Sequence, residues 1–265
     1  MFSIFKTAKR FIGAAAVALS AFGSVHAAPT TQLGFLIDAS GSIGAGNFQI
    51  MRQGYAAALA GLPTDGSVEV NIFTFSSGTV QVVAPTVVTA ATLPGIINAV
   101  STMAYSSGGT DTAAGINAIR AAMTASANFS AGINSIINIA TDGVPNSASA
   151  AIAAATAAAQ AGIDALTAEA IGSVNFDFLL DLVFSPQLPG GLPCNNCGVQ
   201  LAAGATPPNP MTSLPWVLPV NSFDDFPAAI AAKVAAVTGN PIPEPGALAL
   251  VAVALFAATV ARRRA

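Results

Sequence analysis

Short apolar runs alternate along the chain with longer stretches in which apolar residues recur every three or four positions. Leu33 to Ile37 is a continuous apolar run, the pattern of a strand buried on both faces. Phe48, Met51, Tyr55, Leu59 and Leu62 then mark one stripe of a helix, which Pro63 and Gly66 are expected to stop. SVEVNIFTF, residues 67–75, is β-branched and aromatic and predicts a second strand. TVQVVAPTVV predicts a third, with Pro85 pointing to an edge or a break. Leu93 to Val100 fits a short helix. SSGGTDTAAGINAIRAAM reads as a Gly-rich loop running into a helix from about Thr112. INSIINIATDG predicts a strand ending at an aspartate. The Ala-rich stretch after it predicts a helix closed by Gly162, with small side chains that make a thin, closely packed cover. IDALTAEAIG predicts a further strand. PWVLPVNS and FDDFPAAIAAKVAAV predict a last strand and helix, with Ser222 as N-cap.

Alternating strands and helices predict an α/β fold: a doubly wound, mostly parallel sheet with helices on both faces. Residues 185–214 break the pattern. They hold six of the seventeen prolines and both cysteines, and are expected to form an insertion on the outside of the domain.

The two ends read differently. Residues 1–27 have a basic start (Lys6, Lys9, Arg10), an apolar stretch too short to span a membrane, and small residues around His26, as in a secretory signal peptide. Near the other end, Pro243, Glu244 and Pro245 precede sixteen apolar residues and then Arg262, Arg263 and Arg264. A spanning helix needs roughly 17–25 residues. The arginines would stay cytoplasmic, which leaves everything before them on the other side. Residues 241–265 resemble a PEP-CTERM sorting tail of Gram-negative bacteria. That resemblance implies removal by an exosortase, and membrane contact through the tail before processing. A permanent tail anchor is the alternative.

Residues 28–240 are enough for one domain with a sizeable core. They carry three bases (Arg52, Arg120, Lys233) against eleven acids, a net charge of about −8. No basic footprint for nucleic acid exists. The only histidine, His26, lies in the signal, so Ser-His-Asp and Cys-His hydrolase arrangements and His-liganded zinc are excluded from the domain. Lysine or carboxylate chemistry stays open, but with Lys233 the domain's one lysine the room is narrow, and the domain is expected not to be an enzyme.

Ligands of open α/β sheets bind beyond the carboxyl ends of strands. Two such ends carry aspartates, Asp38 and Asp142. The loop of residues 107–112 opens a helix at the same edge. Asp38, Ser40 and Ser42 alternate, so in an extended loop they face one point, while Gly41 and Gly44 permit a tight turn. The side chains collected there offer oxygen and neither nitrogen nor sulfur, which suits a hard cation.

DASGS with Asp38, Ser40 and Ser42, GGTDT with Thr110, and TDGVPN with Asp142 resemble the von Willebrand factor type A (VWA) domain and its metal-ion-dependent adhesion site. The resemblance spans about Gln32 to Val237. It implies Mg²⁺, with Mn²⁺ or Ca²⁺ as substitutes, held by Asp38, Ser40, Ser42, Thr110 and Asp142, with one position left for a carboxylate from a protein partner. Asp111 is expected to cap the helix that follows it. The implied function is cation-dependent adhesion or protein–protein interaction at the cell envelope or in an extracellular matrix. The alternative is a structural matrix component whose metal only steadies the loops.

Cys194 and Cys197 admit three readings: a local disulfide, a redox pair, or half a zinc site. Their Pro/Gly flanks lack the strand-to-helix junction of a redox motif. Trp216 reads as core or strand-edge packing.

Overall fold

The computed structural model describes residues 28–172 and 174–239; the signal peptide and the Pro243-Glu244-Pro245 tail lie outside them. Among the described residues no helix is long and apolar enough to cross a membrane. The elements are β1 (Thr31–Asp38), α1 (Gly44–Leu59), β2 (Asp65–Phe75), β3 (Thr79–Thr89), α2 (Leu93–Ser101), α3 (Thr112–Thr124), β4 (Asn134–Thr141), α4 (Ala148–Gln160), β5 (Ala165–Ile171), α5 (Phe176–Leu182), β6 (Val199–Gln200), β7 (Trp216–Val220) and α6 (Phe226–Thr238).

The strands form one sheet in the order β3-β2-β1-β4-β5-β7-β6. Among the described strands only the β2–β3 pair is antiparallel; Leu166 of β5 also makes one isolated antiparallel bridge, to Phe184. All eight residues of β1 are buried, as its apolar run demands of a strand covered on both faces. Leu33, Phe35 and Ile37 face α1, α2 and α6, while Leu36 faces the layer of α3, α4 and α5. The predicted stripe of α1 is buried at Phe48, Met51, Tyr55 and Leu59. On α4, Ala151, Ala154, Ala155 and Ala158 are buried, and their small side chains let that helix lie close to its neighbours. The order of strands reverses direction at β1 and β4, so the crevice beyond their carboxyl ends is where this topology places a ligand.

Several boundaries differ from the sequence reading. Helix α1 ends at Leu59, before Pro63, and Gly66 already belongs to β2, where it takes φ +89°. Ser222 does not cap α6. It begins a 3-10 turn, Phe223–Asp225, its hydroxyl donates to Asp225 Oδ2 at 2.9 Å, and Asp225 occupies the cap position. Helix α5 was not anticipated, because its seven residues are too few to show a period. The insertion is not wholly external. Ser185 and Leu188 are buried, and Val199–Gln200 extends the sheet beside β7. Cys194 and Cys197 are joined in a disulfide. Asn196 N donates to Asp181 Oδ1 at 2.5 Å and Gly198 N to Leu180 O at 3.0 Å, which ties this loop to α5.

Lys233 is buried under α6. Its Nζ donates to Thr167 Oγ1 at 2.7 Å and lies 5.5 Å from the ring centroid of Trp216. Glu169 of β5 shares this interior and accepts a 2.5 Å hydrogen bond from Asn138; Tyr55 of α1 is buried within reach of its charge. Burial pulls the lysine down to about 8, against the opposing pull of Glu169. Between that value and the ordinary 10.5 the unfolded chain holds a proton that the folded chain has released, so raising the pH favours folding. Urea midpoints are expected to rise from pH 8 to 9.5, below the range where exposed tyrosines of the unfolded chain ionise. Lys233→Met should abolish that rise; an equal rise in the variant would contradict the assignment.

Candidate metal centre

Parallel pairing of β1 with β4 sets Ile37 against Ala140, so the next residues of both strands, Asp38 and Thr141, meet at the carboxyl edge. Asp38 is fully buried. Its Oδ1 accepts from Ser40 N at 2.8 Å and its Oδ2 from Thr141 Oγ1 at 2.6 Å. Burial pushes its carboxyl above the usual range, the two serine and threonine bonds oppose that, and the charge of Asp142 adds to it. Burial also raises Asp142, against a 2.7 Å bond from Ser42 Oγ to its Oδ1. Two carboxylates held near each other and partly desolvated favour a cation between them.

The segment after Asp38 is not extended, as the alternation suggested; residues 41–43 turn. The turn brings Ser40 Oγ and Ser42 Oγ to 3.2 Å all the same. Gly41 N donates to Gly108 O at 2.8 Å, and a Cβ on Gly41 would stand only 3.2 Å from that oxygen. Gly44 takes φ +73°, which a side chain would resist.

The third loop is fastened on several sides. Asp111 N donates to Ser76 O at 2.8 Å, Gly109 N to Ser77 Oγ at 2.7 Å, and the Tyr105 hydroxyl to Ser40 O at 3.1 Å. Asn146 grips Thr110 twice: its Oδ1 accepts from Thr110 N at 2.9 Å, and its own N donates to Thr110 O at 2.8 Å. Asp111 caps α3 by accepting from Ala114 N at 3.0 Å, so it serves the helix, as expected. A Cβ on Gly143 would stand 3.4 Å from both Ser42 Oγ and Thr110 Oγ1. The missing side chain thus leaves a hollow that two hydroxyls border. All five sequence-predicted residues come to this one edge: Asp38, Ser40, Ser42 and Asp142 through a chain of hydrogen bonds, and Thr110 across the Gly143 hollow.

Thr141, Asn146, Tyr105 and Gly143 were missed. Thr141 was legible only as the last residue of a strand, and its hydroxyl gains meaning from the register with β1. Asn146 sits in the quoted TDGVPN, but its partner lies 36 residues away.

The von Willebrand factor type A domain family model matches residues 32–188, more than half of the chain. The chain belongs to the von Willebrand factor type A domain family. The match ends inside the insertion, and β7 and α6 continue the same sheet and its helical cover beyond it. A search of curated proteins finds no match. Among solved structures, proximal thread matrix protein 1 from the mussel byssus is similar at 18% identity and TM-score 0.58, over 78% of this chain and 48% of that one. Another structure of that mussel protein, with a zinc-occupied MIDAS motif, gives 17% and 0.57, over 78% of this chain and 48% of that one. The pilus adhesin SpaC from Lactobacillus rhamnosus GG, in an open conformation, gives 15% and 0.56, over 80% of this chain and 30% of that one. The chain thus spans about half the mussel protein and a third of the adhesin or less; at these identities the likeness establishes the fold.

The residues present fit a hard divalent cation. The donors are hydroxyls and carboxylates, and the Gly143 hollow is bordered by two of the hydroxyls, those of Ser42 and Thr110. Among the described residues no group of three or more His, Cys, Asp or Glu gathers as a metal site, and the candidate centre itself relies on three hydroxyls beside its two carboxylates.

Thr141→Val should leave Asp38 Oδ2 buried without its donor and destabilise the domain by about 1–3 kcal/mol. Ser42 is exposed, and Ser42→Ala should cost no more than about 0.5 kcal/mol. Urea unfolding of both variants in chelator checks the contrast; equal losses would mean that the Thr141 bond does not hold the strand ends together.

Proposed function

We propose that this VWA domain is an exported adhesion or protein-interaction module that captures a partner's carboxylate through a divalent cation, and that it is not an enzyme. Mg²⁺ is the ion this donor set favours, with Mn²⁺ or Ca²⁺ able to substitute. Ser40, Ser42 and Thr110 would hold it together with Asp38 and Asp142, directly or through water. When bound, the ion supplies a positive centre able to accept an anionic oxygen from outside. The observation that carries the reading is the gathering of five oxygen-bearing side chains at one edge of the sheet, four linked by hydrogen bonds and Thr110 facing Ser42 across the Gly143 hollow.

The chain's own residues do the rest. Asp38 and Thr141 lock two strand ends together. Asn146 orients Thr110, and Tyr105 braces the turn that displays Ser42. Protein hydrogen bonds already tie the three loops to one another. That speaks for ligand capture over the alternative of a matrix component whose metal is only structural. None of the three bases of residues 28–240 lies in residues 39–43, 76–78, 104–111 or 142–147. A carboxylate arriving there finds no arginine or lysine in these loops, and its attraction must come from the ion.

The leader and tail motifs support delivery across the inner membrane, transient anchoring through the tail, processing by an exosortase-type enzyme, and a final place on the outer surface or in the extracellular matrix. A structural likeness to a byssal matrix protein and a pilus adhesin is in keeping with that destination.

Titration calorimetry of residues 28–239 with MgCl₂ should show one site, and Asp142→Ala should remove it while the thermal transition persists. Capture of envelope proteins on the immobilised domain should vanish in EDTA and return with Mg²⁺. Heat uptake unchanged by Asp142→Ala, or capture indifferent to EDTA, would sink the proposal.

A further inference from the structure

Resting on the reading just given, we infer that Val144 is a specificity-determining residue: the domain selects a partner segment whose carboxylate is flanked by an apolar side chain, in otherwise neutral or basic surroundings. Val144 stands two residues after Asp142 and is 67% exposed. Of the exposed large apolar side chains among the described residues, Val80, Val144, Val199 and Leu214, it alone lies in a loop that contributes a candidate ligand.

Its exposure is imposed by the backbone. Pro145 is buried and restricts the residue before it to extended conformations. Asn146, next along, is pinned to Thr110 by both of its hydrogen bonds. On the other side, Gly143 N donates to Thr141 Oγ1 at 3.2 Å. The valine is thus fastened at both ends and cannot fold back onto the sheet. A rigid apolar group loses little freedom when a ligand covers it, so its burial counts almost fully toward affinity.

The rest of the rim offers mostly small groups; Asn146 is exposed too, but its Oδ1 is already engaged by Thr110 N. Gly41, Ser42, Ser77, Gly78, Ser106, Ser107 and Gly108 are exposed and small, and carry no charge. They can accept a backbone at close range but cannot tell one side chain from another. Two features therefore discriminate: the cation, which reads a carboxylate, and Val144, which reads what stands next to it. Charge sets the surroundings. With three bases against eleven acids in residues 28–240, a segment rich in further carboxylates would be repelled, and a basic one drawn in.

The test uses the full domain, residues 28–239, and synthetic hexapeptides built from glycine and lysine with a single aspartate. Leucine or serine is placed immediately before or after the aspartate. Binding is read by fluorescence anisotropy in Mg²⁺ and in EDTA. A leucine neighbour on at least one side should tighten binding about fivefold over serine, as expected for burying part of an aliphatic side chain. Val144→Ser should erase that preference and leave Mg²⁺ uptake by calorimetry and the thermal transition unchanged. Equal binding of leucine and serine peptides by the native domain would overturn the inference, as would a preference that survives in Val144→Ser. Binding of either peptide that is Mg²⁺-dependent but indifferent to leucine would defeat this inference and leave the carboxylate-capture reading standing; loss of Mg²⁺ uptake by the native domain would defeat both.

Discussion

One hydrogen bond, from the Thr141 hydroxyl to Asp38 Oδ2, joins strand ends 103 residues apart in sequence. It exists because β1 and β4 run parallel in a register that brings both ends to the same edge of the sheet. The pairing is driven by burial: β1 is covered on both faces by two hydrophobic layers, and a slip of one residue would send Leu33, Phe35 and Ile37 to the wrong layer. The hydrophobic core thus decides where two carboxylates sit relative to each other. Their chemistry follows from that placement.

The fold could be read from the alternation of runs and stripes, because parallel strands buried on both faces leave so strong a trace. What escaped that reading had no period of its own. Helix α5 has seven residues, and β6 has two and pairs only through its backbone. Ser222 has the side chain of an N-cap, but Asp225 draws its hydroxyl away and the chain makes an extra turn before α6 begins. Lys233 looked like one base late in a helix. Its burial against Thr167 and Trp216 depends on which face of α6 meets β5 and β7, and a single helix with so many alanines does not reveal that.

The candidate site divides in the same way. Asp38, Ser40, Ser42, Thr110 and Asp142 were legible as oxygen donors at strand and loop ends. The residues that hold them were not, since each acts across the fold. Asn146 works on Thr110, Tyr105 on Ser40, and Thr141 on Asp38. The hollow beside Gly143 is an absence of atoms, visible only once Ser42 and Thr110 face it. These supports bear on the proposed function: loops fastened to one another by protein hydrogen bonds would leave a bound ion under-coordinated by protein, and so receptive to a ligand from outside. The same fastening displays Val144 next to it.

The most direct test is a crystal of the domain soaked in MnCl₂ and measured at the manganese absorption edge. One anomalous peak bonded to Ser40 Oγ and Ser42 Oγ, with Thr110 and the two aspartates around it and an outward position filled by solvent or a carboxylate, is the result this account predicts. A crystal with the loops as described and no peak among these five side chains would contradict it.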